Sequence, residues 1–173
     1  MEETKIKEVR IEKVTLNIGA GKDTEKLEKA MKLLKSISGQ EPTKTTAKKR
    51  IPNWGLRPGL AIGCKVTLRK KPARELAARL LQSRDNKLGE EQFDDKGNLS
   101  FGIKEYIDIP GVNYDPAIGV TGLEASITLE RIGYRIRRRV MKKKKIPQKH
   151  RITKPEAISF MKKEFNTQIG EKE

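Results

Sequence analysis

The chain has 173 residues and a formal net charge of +16, with 36% of its residues charged and 35% hydrophobic. This length fits one domain with a modest core, because few of the residues are apolar. The single cysteine, Cys64, excludes an internal disulfide framework and fits a reducing compartment. No apolar run is long enough for a signal peptide or a membrane-spanning helix, so we expect a cytoplasmic protein.

The positive charge is concentrated in two segments. Residues 42–74 hold ten Lys or Arg and residues 131–154 hold twelve, and neither segment contains an acid. The rest of the chain has 17 basic and 23 acidic residues. Such segregation favours a polyanionic partner. Membrane docking pairs bases with an apolar face, which "RIRRRVMKKKKIPQKHR" lacks, so we expect nucleic acid as the partner and no membrane.

The first predicted strand is "VRIEKVTLNIGAG". Val14, Leu16 and Ile18 alternate on one apolar face. Thr15 and Asn17 therefore lie on the opposite, polar face. A helix follows, because apolar residues recur at helical spacing in "EKLEKAMKLLKSI". The preceding "DT" can cap its start, and the glycine of "SGQ" can end it.

The clearest strand is "AIGCKVTLR", which a short predicted strand in "TKTTAKK" precedes. One face of the clear strand is apolar, with Ile62, Cys64, Val66 and Leu68. The other face is polar, with Lys65, Thr67 and Arg69. Between the two strands lies a basic loop, residues 48–60, that contains the only tryptophan and two prolines. A second helix follows, with Pro72 near its start.

The second half of the chain adds further strands and one more helix. Strands are predicted in "LSFGI" and "EYIDI", and in "GLEASITLER", where apolar and polar residues alternate. The last helix opens at "TKPE", where Thr153 and Glu156 can form a capping box. These elements predict an α+β fold, with an antiparallel or mixed sheet and helices packed on one face. We expect a single domain over residues 1–173, with a projecting basic loop at 48–60 and a basic arm at 134–152.

The motif "GAGKDT", residues 19–24, suggests a nucleotide-hydrolysing enzyme. A phosphate-binding loop needs a glycine five places before the glycine–lysine pair, and Ser or Thr after the pair. Those places hold Leu16 and Asp23, and an aspartate there would repel phosphate. A turn between strand and helix is the favoured interpretation, with the nucleotide site as the alternative.

No other group of residues predicts catalysis or metal binding. His150, the only histidine, lies between Lys149 and Arg151 with no residue identified that would orient it as a base. Cys64 lies on an apolar strand face and is interpreted as a core residue. A zinc site needs three or four ligands, which these two residues cannot supply. We therefore expect no enzymatic activity, no metal and no cofactor.

Two sets of residues are candidates for binding RNA. The polar strand faces present hydrogen-bonding groups from a rigid sheet, which suits recognition of RNA shape and 2′-hydroxyls. The groups are Asn17, Lys65, Thr67 and Arg69. The basic arm can neutralise phosphates with Arg137, Arg138, Arg139, Lys142, Lys143, Lys144 and Lys145. The alternative for the strand faces is plain solvent exposure, and for the arm it is a solvated tail.

Five segments in one order carry a family resemblance: "VTLNIGAG", "SGQEPTKT", "GLRPGLAIGCKVTLR", "GNLSFGIKEYIDIPGVNYDP" and "GLEASITLER". They resemble the universal ribosomal protein L-five family of the large subunit, which binds 5S ribosomal RNA in the central protuberance. The resemblance covers residues 8–165. The short N-terminus and the arm "IRRRVMKKKKIPQKHRIT" resemble the archaeal and eukaryotic branch of the family rather than the bacterial one.

The resemblance implies an antiparallel sheet with helices on its convex side and 5S ribosomal RNA docked on its other surface. The positions that match the motifs of the family are Asn17, Gln40, Thr67 and Arg69. We add Lys44 and Lys65, which lie in the same segments, to the predicted RNA contacts. Glu124 departs from the bacterial pattern, which has an aspartate after "GL", and this leaves its role open.

The same resemblance implies that the loop at 48–60 extends toward the peptidyl-site transfer RNA. Its candidate contacts are Lys49, Arg50, Trp54 and Arg57. Two prolines limit the freedom of the loop and lower the cost of ordering it on RNA. Trp54 either stacks on a nucleotide or anchors the loop to its own sheet, with the anchor favoured.

The predicted function is therefore structural. The chain is expected to fix 5S ribosomal RNA to the large subunit, with large-subunit ribosomal RNA, peptidyl-site transfer RNA and neighbouring ribosomal proteins as partners. A protein of the small-subunit head is expected across an intersubunit bridge. The alternative is a non-ribosomal RNA-binding or chaperone protein that uses the same sheet.

Overall fold

The computed structural model describes residues 6–170, and within them seven strands and four α-helices are given labels here. The strands are β1 Val9–Gly19, β2 Thr43–Thr46, β3 Ala61–Arg69, β4 Lys87–Gly89, β5 Leu99–Ile103, β6 Leu123–Arg131 and β7 Gln168–Gly170. The helices are α1 Thr24–Ser38, α2 Lys70–Gln82, α3 Arg135–Arg138 and α4 Lys154–Phe165. None of these helices is long and apolar enough to cross a membrane.

Five strands form an antiparallel sheet in the order β2-β3-β1-β6-β5. In the β2–β3 pair, Thr43 lies opposite Lys65 and Lys44 opposite Cys64, and the register shifts between Thr45 and Thr46. A second, two-stranded sheet pairs β4 with β7 in parallel. The predicted α+β class and antiparallel sheet are confirmed. The small parallel sheet was not predicted, because three-residue strands have no readable alternation.

The described residues divide into two compact units. The first unit holds residues 6–14, 69–100 and 126–170, and the second holds Thr15–Leu68 and Phe101–Ala125. The boundaries fall within β1, β3, β5 and β6, so these strands supply residues to both units. Single-domain organisation over residues 1–173 stays a prediction.

The core of the second unit combines strand alternation with one helical stripe. The buried strand residues include Leu16, Ile18, Cys64, Val66 and Leu68. The buried residues of α1 are Leu27, Ala30, Leu33, Leu34 and Ile37. The Asp23 carboxylate caps α1 by accepting hydrogen bonds from the backbone N–H groups of Glu25 at 3.0 Å and Lys26 at 3.2 Å. Gly39 ends the helix at φ 67°, a conformation that favours glycine, so both predicted caps are confirmed.

The core of the first unit is built by α2, α4 and the end of β6. Its buried residues include Leu76, Leu80, Leu81, Ile127, Leu129 and Met161. At the start of α4 the Glu156 carboxylate accepts hydrogen bonds from the Thr153 backbone N–H at 2.9 Å and from its hydroxyl at 3.0 Å. The predicted capping box is therefore confirmed.

The predicted strand in "EYIDI" is wrong. Residues Tyr106–Asp108 form a 3₁₀ turn instead. Tyr106 and Ile109 are both buried, a spacing of three that suits a helical turn rather than a strand. The Tyr106 hydroxyl also accepts a hydrogen bond from the Asp115 backbone N–H at 3.0 Å, which fixes the turn against the following loop.

Candidate nucleic-acid interface

In the second unit, strand alternation turns a row of polar side chains away from the core. Lys65 and Thr67 are exposed between the buried residues of β3. Thr67 Oγ1 lies 3.4 Å from Thr15 Oγ1 on β1. Asn17, two residues further along β1, is half-buried between buried neighbours. The polar face that the sequence predicts is therefore present in this unit.

Asn17 has a partner that gives this face a mixed character. Its side-chain N–H donates a hydrogen bond of 3.3 Å to the Glu124 carboxylate. The amide oxygen of Asn17 and the second carboxylate oxygen of Glu124 can still accept hydrogen bonds, while Lys65 supplies N–H donors. A carboxylate repels phosphate but accepts from hydroxyl and amino groups. The face is therefore suited to RNA 2′-hydroxyls and base edges more than to phosphates.

Two further predicted residues lie outside this row. Lys44 is exposed on β2, the edge strand next to β3. Gln40 is exposed just after the end of α1, where its backbone N–H donates to Ser38 Oγ at 3.2 Å. That bond fixes the backbone at Gln40 and leaves its side chain on the surface.

The loop at 48–60 is a small ordered hairpin. Ile51 and Leu56 exchange two backbone hydrogen bonds, each of 3.0 Å, around a 3₁₀ turn at Pro52–Trp54. Leu56 is only 8% exposed and holds the hairpin to the protein, whereas Trp54 is 65% exposed. The favoured anchoring role of Trp54 is therefore wrong. A leucine and a backbone bridge already fix the loop, and this leaves the indole on the surface.

The cationic residues of this loop are all on its surface. Lys49, Arg50 and Arg57 are exposed, as is the Trp54 ring between them in sequence. A cation and an aromatic face together can neutralise a phosphate and stack on a base. Their contact with transfer RNA stays a prediction.

The motif "GAGKDT" has structural roles that compete with phosphate binding. The backbone N–H groups of Ala20 and Gly21 both donate to the Ile62 carbonyl, at 2.9 and 3.0 Å. Asp23 caps α1, and a Cβ added to Gly55 would lie 2.5 Å from Lys22 Nζ. The amides and the lysine that a phosphate cradle requires are therefore placed against the protein itself. This geometry favours the turn over the nucleotide site.

In the first unit, Arg69 belongs to a cluster of ion pairs. Arg69 Nη1 donates to Glu12 Oε1 at 3.0 Å, and Arg138 donates to the same oxygen. Arg138 Nη2 also lies 2.9 Å from Glu130 Oε2. Arg10 donates to Glu130 Oε1 through Nε at 3.1 Å and Nη2 at 2.8 Å. Two of the predicted RNA-binding arginines thus have acidic partners within the protein.

The charge state of Glu12 follows from these contacts. Partial burial on its own would raise the pKa of Glu12, but the hydrogen bond from Arg69 and the charge of Arg138 outweigh it. The pKa of Glu12 is consequently lowered, and the carboxylate is ionised at neutral pH. The ionised Glu12 carboxylate is therefore shared by the guanidinium groups of Arg69 and Arg138.

The basic arm is an ordered loop with an apolar base. Ile146 and Ile152 are buried. The Tyr134 hydroxyl donates to the His150 carbonyl at 3.2 Å and accepts from the Ile152 N–H at 3.1 Å. His150 Nε2 lies 2.8 Å from the Ile132 carbonyl oxygen. These contacts give His150 a structural role in holding the arm. They also argue against the alternative that the arm is a fully solvated tail.

The outer part of the arm is strongly cationic. Arg139 Nε donates to the Lys142 carbonyl at 2.8 Å, and the Lys144 N–H donates to the Ile136 carbonyl at 3.2 Å. These bonds close a turn that carries exposed bases, namely Arg137, Arg139, Lys142, Lys143, Lys144 and Lys145. Their charges lie within a few residues of each other, which suits a phosphate backbone rather than a single anion.

The predicted RNA-binding residues are thus divided between the units. The second unit carries Asn17, Gln40, Lys44, Lys65, Thr67 and the loop at 48–60. The first unit carries Arg69 and the arm. Three further members of the ion-pair cluster, Arg10, Glu12 and Glu130, were not predicted to belong to a site. By alternation Glu130 falls on the polar face of "GLEASITLER", but its side chain is only 6% exposed, and its partner Arg10 is 120 residues away in sequence.

The remaining candidate chemistry is accounted for by the core. Cys64 is buried, and burial raises the pKa of its thiol to about 11, so the thiol is protonated at neutral pH. Residues 6–170 contain no group of three or more His, Cys, Asp or Glu side chains that could hold a metal ion.

Comparison with known families covers nearly the whole chain. A family profile described as "Ribosomal protein L5" matches residues 5–57, and a second profile, for the C-terminus of the same ribosomal family, matches residues 61–163. The chain is therefore a ribosomal protein. More specifically, it belongs to the ribosomal protein L5 family.

Individual relatives agree with the profiles. "Large ribosomal subunit protein uL5" of Nanoarchaeum equitans is 51% identical over 165 residues, which are 95% of this chain and 97% of the relative. The protein of the same name from Sulfolobus acidocaldarius is 45% identical over 169 residues, covering 98% and 95% of the two chains. The one from Methanoregula boonei is 45% identical over 164 residues, covering 95% and 99%. These archaeal relatives support the predicted branch.

Family membership confirms three predictions. The chain is a ribosomal protein, its place of action is the ribosome in the cytoplasm, and it is not an enzyme. The candidate surfaces for binding RNA are the polar face, the loop at 48–60 and the basic arm.

The ion-pair cluster gives a prediction about stability. Glu12→Gln is expected to lower the free energy of unfolding by about 1–3 kcal/mol at neutral pH, because two arginines lose a charged acceptor. The pKa of Glu12 is lower in the folded protein than in the unfolded chain, where it is about 4.3. Its stabilisation is therefore present above that value and is lost as the pH falls through the folded pKa.

Urea unfolding of both proteins, measured stepwise from neutral pH to about pH 3.5, checks this prediction. The difference between wild type and Glu12→Gln should shrink as the pH falls. Glu28→Gln on the exposed face of α1 is the control, with little effect at any pH. A Glu12→Gln difference that is constant over the whole range would contradict the prediction.

Proposed function

We propose that this chain, which is a protein of the large ribosomal subunit, binds 5S ribosomal RNA and attaches it in the central protuberance. The observation that carries the proposal is the polar sheet face of the second unit, where Asn17, Lys65 and Thr67 are presented by strands with buried neighbours. Rigid strands hold these groups in fixed positions, so little conformational entropy is lost when RNA binds. The relatives, named as large-subunit proteins, support the same assignment.

The face and the arm have complementary tasks in this proposal. The polar face offers both hydrogen-bond donors and acceptors, from Asn17, Glu124 and Thr67. This combination suits RNA 2′-hydroxyls and base edges. The exposed bases of the arm neutralise the phosphates of 5S or large-subunit ribosomal RNA. Phosphate contacts fix the position of the protein on RNA, and base and sugar contacts select the site.

The loop at 48–60 is proposed to touch the peptidyl-site transfer RNA. Its backbone bridge between Ile51 and Leu56 keeps it ordered, and its exposed Trp54 and Arg57 provide stacking and charge. We also propose that another part of the surface contributes to a bridge with a protein of the small-subunit head. This last part rests on the family resemblance.

The whole proposal is tested by sedimentation. The tagged chain, expressed in an archaeal host, should cosediment with large subunits after a high-salt wash, because a 5S-bound component is held by many contacts in addition to screened charges. Loss of the chain from the particle at high salt would contradict stable attachment through 5S ribosomal RNA. A large-subunit protein known to resist the wash serves as the internal control.

The sheet face is tested by removing two of its polar groups. Asn17→Ala combined with Thr67→Ala should weaken binding to a 5S ribosomal RNA transcript several-fold or more, because RNA polar groups are then left unpaired. Affinity is measured by filter binding at fixed salt. The matched control, Thr24→Ala with Ser36→Ala, removes two exposed hydroxyls from α1 and should bind as wild type does. Wild-type affinity in the Asn17 and Thr67 variant would refute the assignment of this face.

The arm is tested through the salt dependence of binding. Replacing Lys142, Lys143, Lys144 and Lys145 with alanine should reduce the slope of log affinity against log salt by roughly one for each phosphate that is no longer neutralised. RNA preference should change little, because phosphates carry no sequence information. Lys162→Ala with Lys163→Ala removes two exposed cations from α4 and is the control. A collapse of RNA preference with an unchanged slope would mean that the arm reads RNA structure instead.

A further inference from the structure

The ion-pair cluster of the first unit places two acids inside a region that the proposed function assigns to RNA. The Glu12 and Glu130 side chains are 13% and 6% exposed. Each carboxylate contacts two arginines: Arg69 and Arg138 for Glu12, and Arg10 and Arg138 for Glu130. If RNA affinity depended on charge alone, acids this close to a predicted RNA-binding segment would weaken binding. Their presence therefore suggests a different role in the protein.

Arg138 is the member that joins the cluster to the arm. It is the last residue of α3, and its two terminal nitrogens contact carboxylates from β1 and β6. Its own side chain is 42% exposed, and its neighbours Arg137 and Arg139 are exposed as well. One guanidinium group therefore connects the start of the cationic turn to two strands, through a hydrogen bond from Nη1 to Glu12 and an ion pair between Nη2 and Glu130 Oε2. Two separate terminal nitrogens allow arginine this arrangement, and lysine has only one.

The low exposure of the two acid side chains strengthens this attachment. A carboxylate removed from water without a cationic partner is costly, and release of Arg138 would leave Glu130 with Arg10 alone and Glu12 with Arg69 alone. The arm also carries closely spaced like charges that repel one another. The carboxylates of Glu12 and Glu130 at its base offset part of that repulsion and restrict the conformations of the arm.

We propose that Glu12 and Glu130 are positioning residues that hold the basic arm through Arg138 before RNA is bound. The exposed bases of the arm then meet RNA already ordered, and the cost of ordering them is not subtracted from the binding free energy. The inference rests on the proposed RNA-binding function for its role in affinity. Its structural part, an arm held in the free protein, is independent of which RNA is bound.

The inference predicts an effect of opposite sign to simple electrostatics. Glu12→Gln removes a negative charge and would tighten RNA binding if charge alone mattered. If Glu12 positions the arm, the same change loosens Arg138 and weakens binding, by about three- to tenfold, in line with the ordering cost of one or two long side chains. Glu28→Gln, which removes an exposed acid from α1, should leave affinity unchanged or slightly tighter.

A second pair of variants keeps the test independent of the buried acids. Arg138→Gln and Arg137→Gln each remove one positive charge from adjacent positions of the arm. Charge alone predicts equal reductions of RNA affinity. The inference predicts that Arg138→Gln reduces affinity several-fold more than Arg137→Gln and that Arg138→Lys, which keeps the charge but has only one terminal nitrogen, recovers only part of that reduction.

The arm itself is measured by limited trypsin digestion of the free, full-length proteins, with cleavage at Lys142–Lys145 followed by mass spectrometry. The Glu12→Gln and Arg138→Gln variants should be cleaved there several-fold faster than wild type. The Arg137→Gln and Glu28→Gln variants should be cleaved at the wild-type rate. Circular dichroism confirms that each variant is folded. Equal cleavage rates in Arg138→Gln and Arg137→Gln would overturn the inference whatever the RNA results.

RNA binding is measured with two probes, a 5S ribosomal RNA transcript and an unrelated RNA duplex of similar length. Weaker binding of Glu12→Gln to the 5S transcript, together with faster cleavage, supports the inference. Unchanged or tighter binding overturns its part in affinity. If wild type binds both probes equally, the proposed 5S function fails, while the digestion result still decides whether the arm is held.

Discussion

The two-residue period of the strands is the constraint on which the functional surface depends. Leu16 and Ile18 on β1, and Val66 and Leu68 on β3, must be buried to form the core, and the pleat then turns Asn17, Lys65 and Thr67 outward. A slip of one residue would exchange the two sets and bury polar groups. Core formation and presentation of the polar face are therefore the same event, and the free energy of apolar burial holds the face rigid.

Charge alone does not describe the molecule, although its net charge is +16. Glu124 accepts a hydrogen bond from Asn17 in the polar face, and Glu12 and Glu130 bind arginines that the sequence marks only as cations. Acids at these places separate two modes of binding. Where a carboxylate is exposed among donors, contact with hydroxyl and amino groups is favoured over phosphate. Where the carboxylates are largely shielded from solvent, as in Glu12 and Glu130, they orient arginine side chains.

Much of the fold could be predicted from the sequence, because local rules decide it. Alternation located β1, β3 and β6, Asp23 and Gly39 marked the ends of α1, and the capping box located α4. The predictions failed where burial and turn formation, rather than strand alternation, decide the conformation. The burial of Tyr106 and Ile109 produced a turn instead of a strand, and the bridge from Ile51 to Leu56 left Trp54 exposed. The candidate face followed from alternation, but the pairing of Arg138 with Glu12 did not, since the two residues are 126 positions apart.

The arm shows why ordering and charge have to be considered together. The exposed bases of the outer turn increase its attraction to a polyanion, yet the same charges repel one another and favour an extended, disordered segment. The fold meets these opposing demands at different places along the arm. At its base, Ile146 supplies apolar burial, Tyr134 supplies hydrogen bonds, and the carboxylates of Glu12 and Glu130 supply opposite charge. The segment that forms its outer turn contains no acid, so the positive potential there is left for RNA. An arm without the acidic base would keep its attraction for phosphate, but part of that attraction would be offset by conformational entropy on binding.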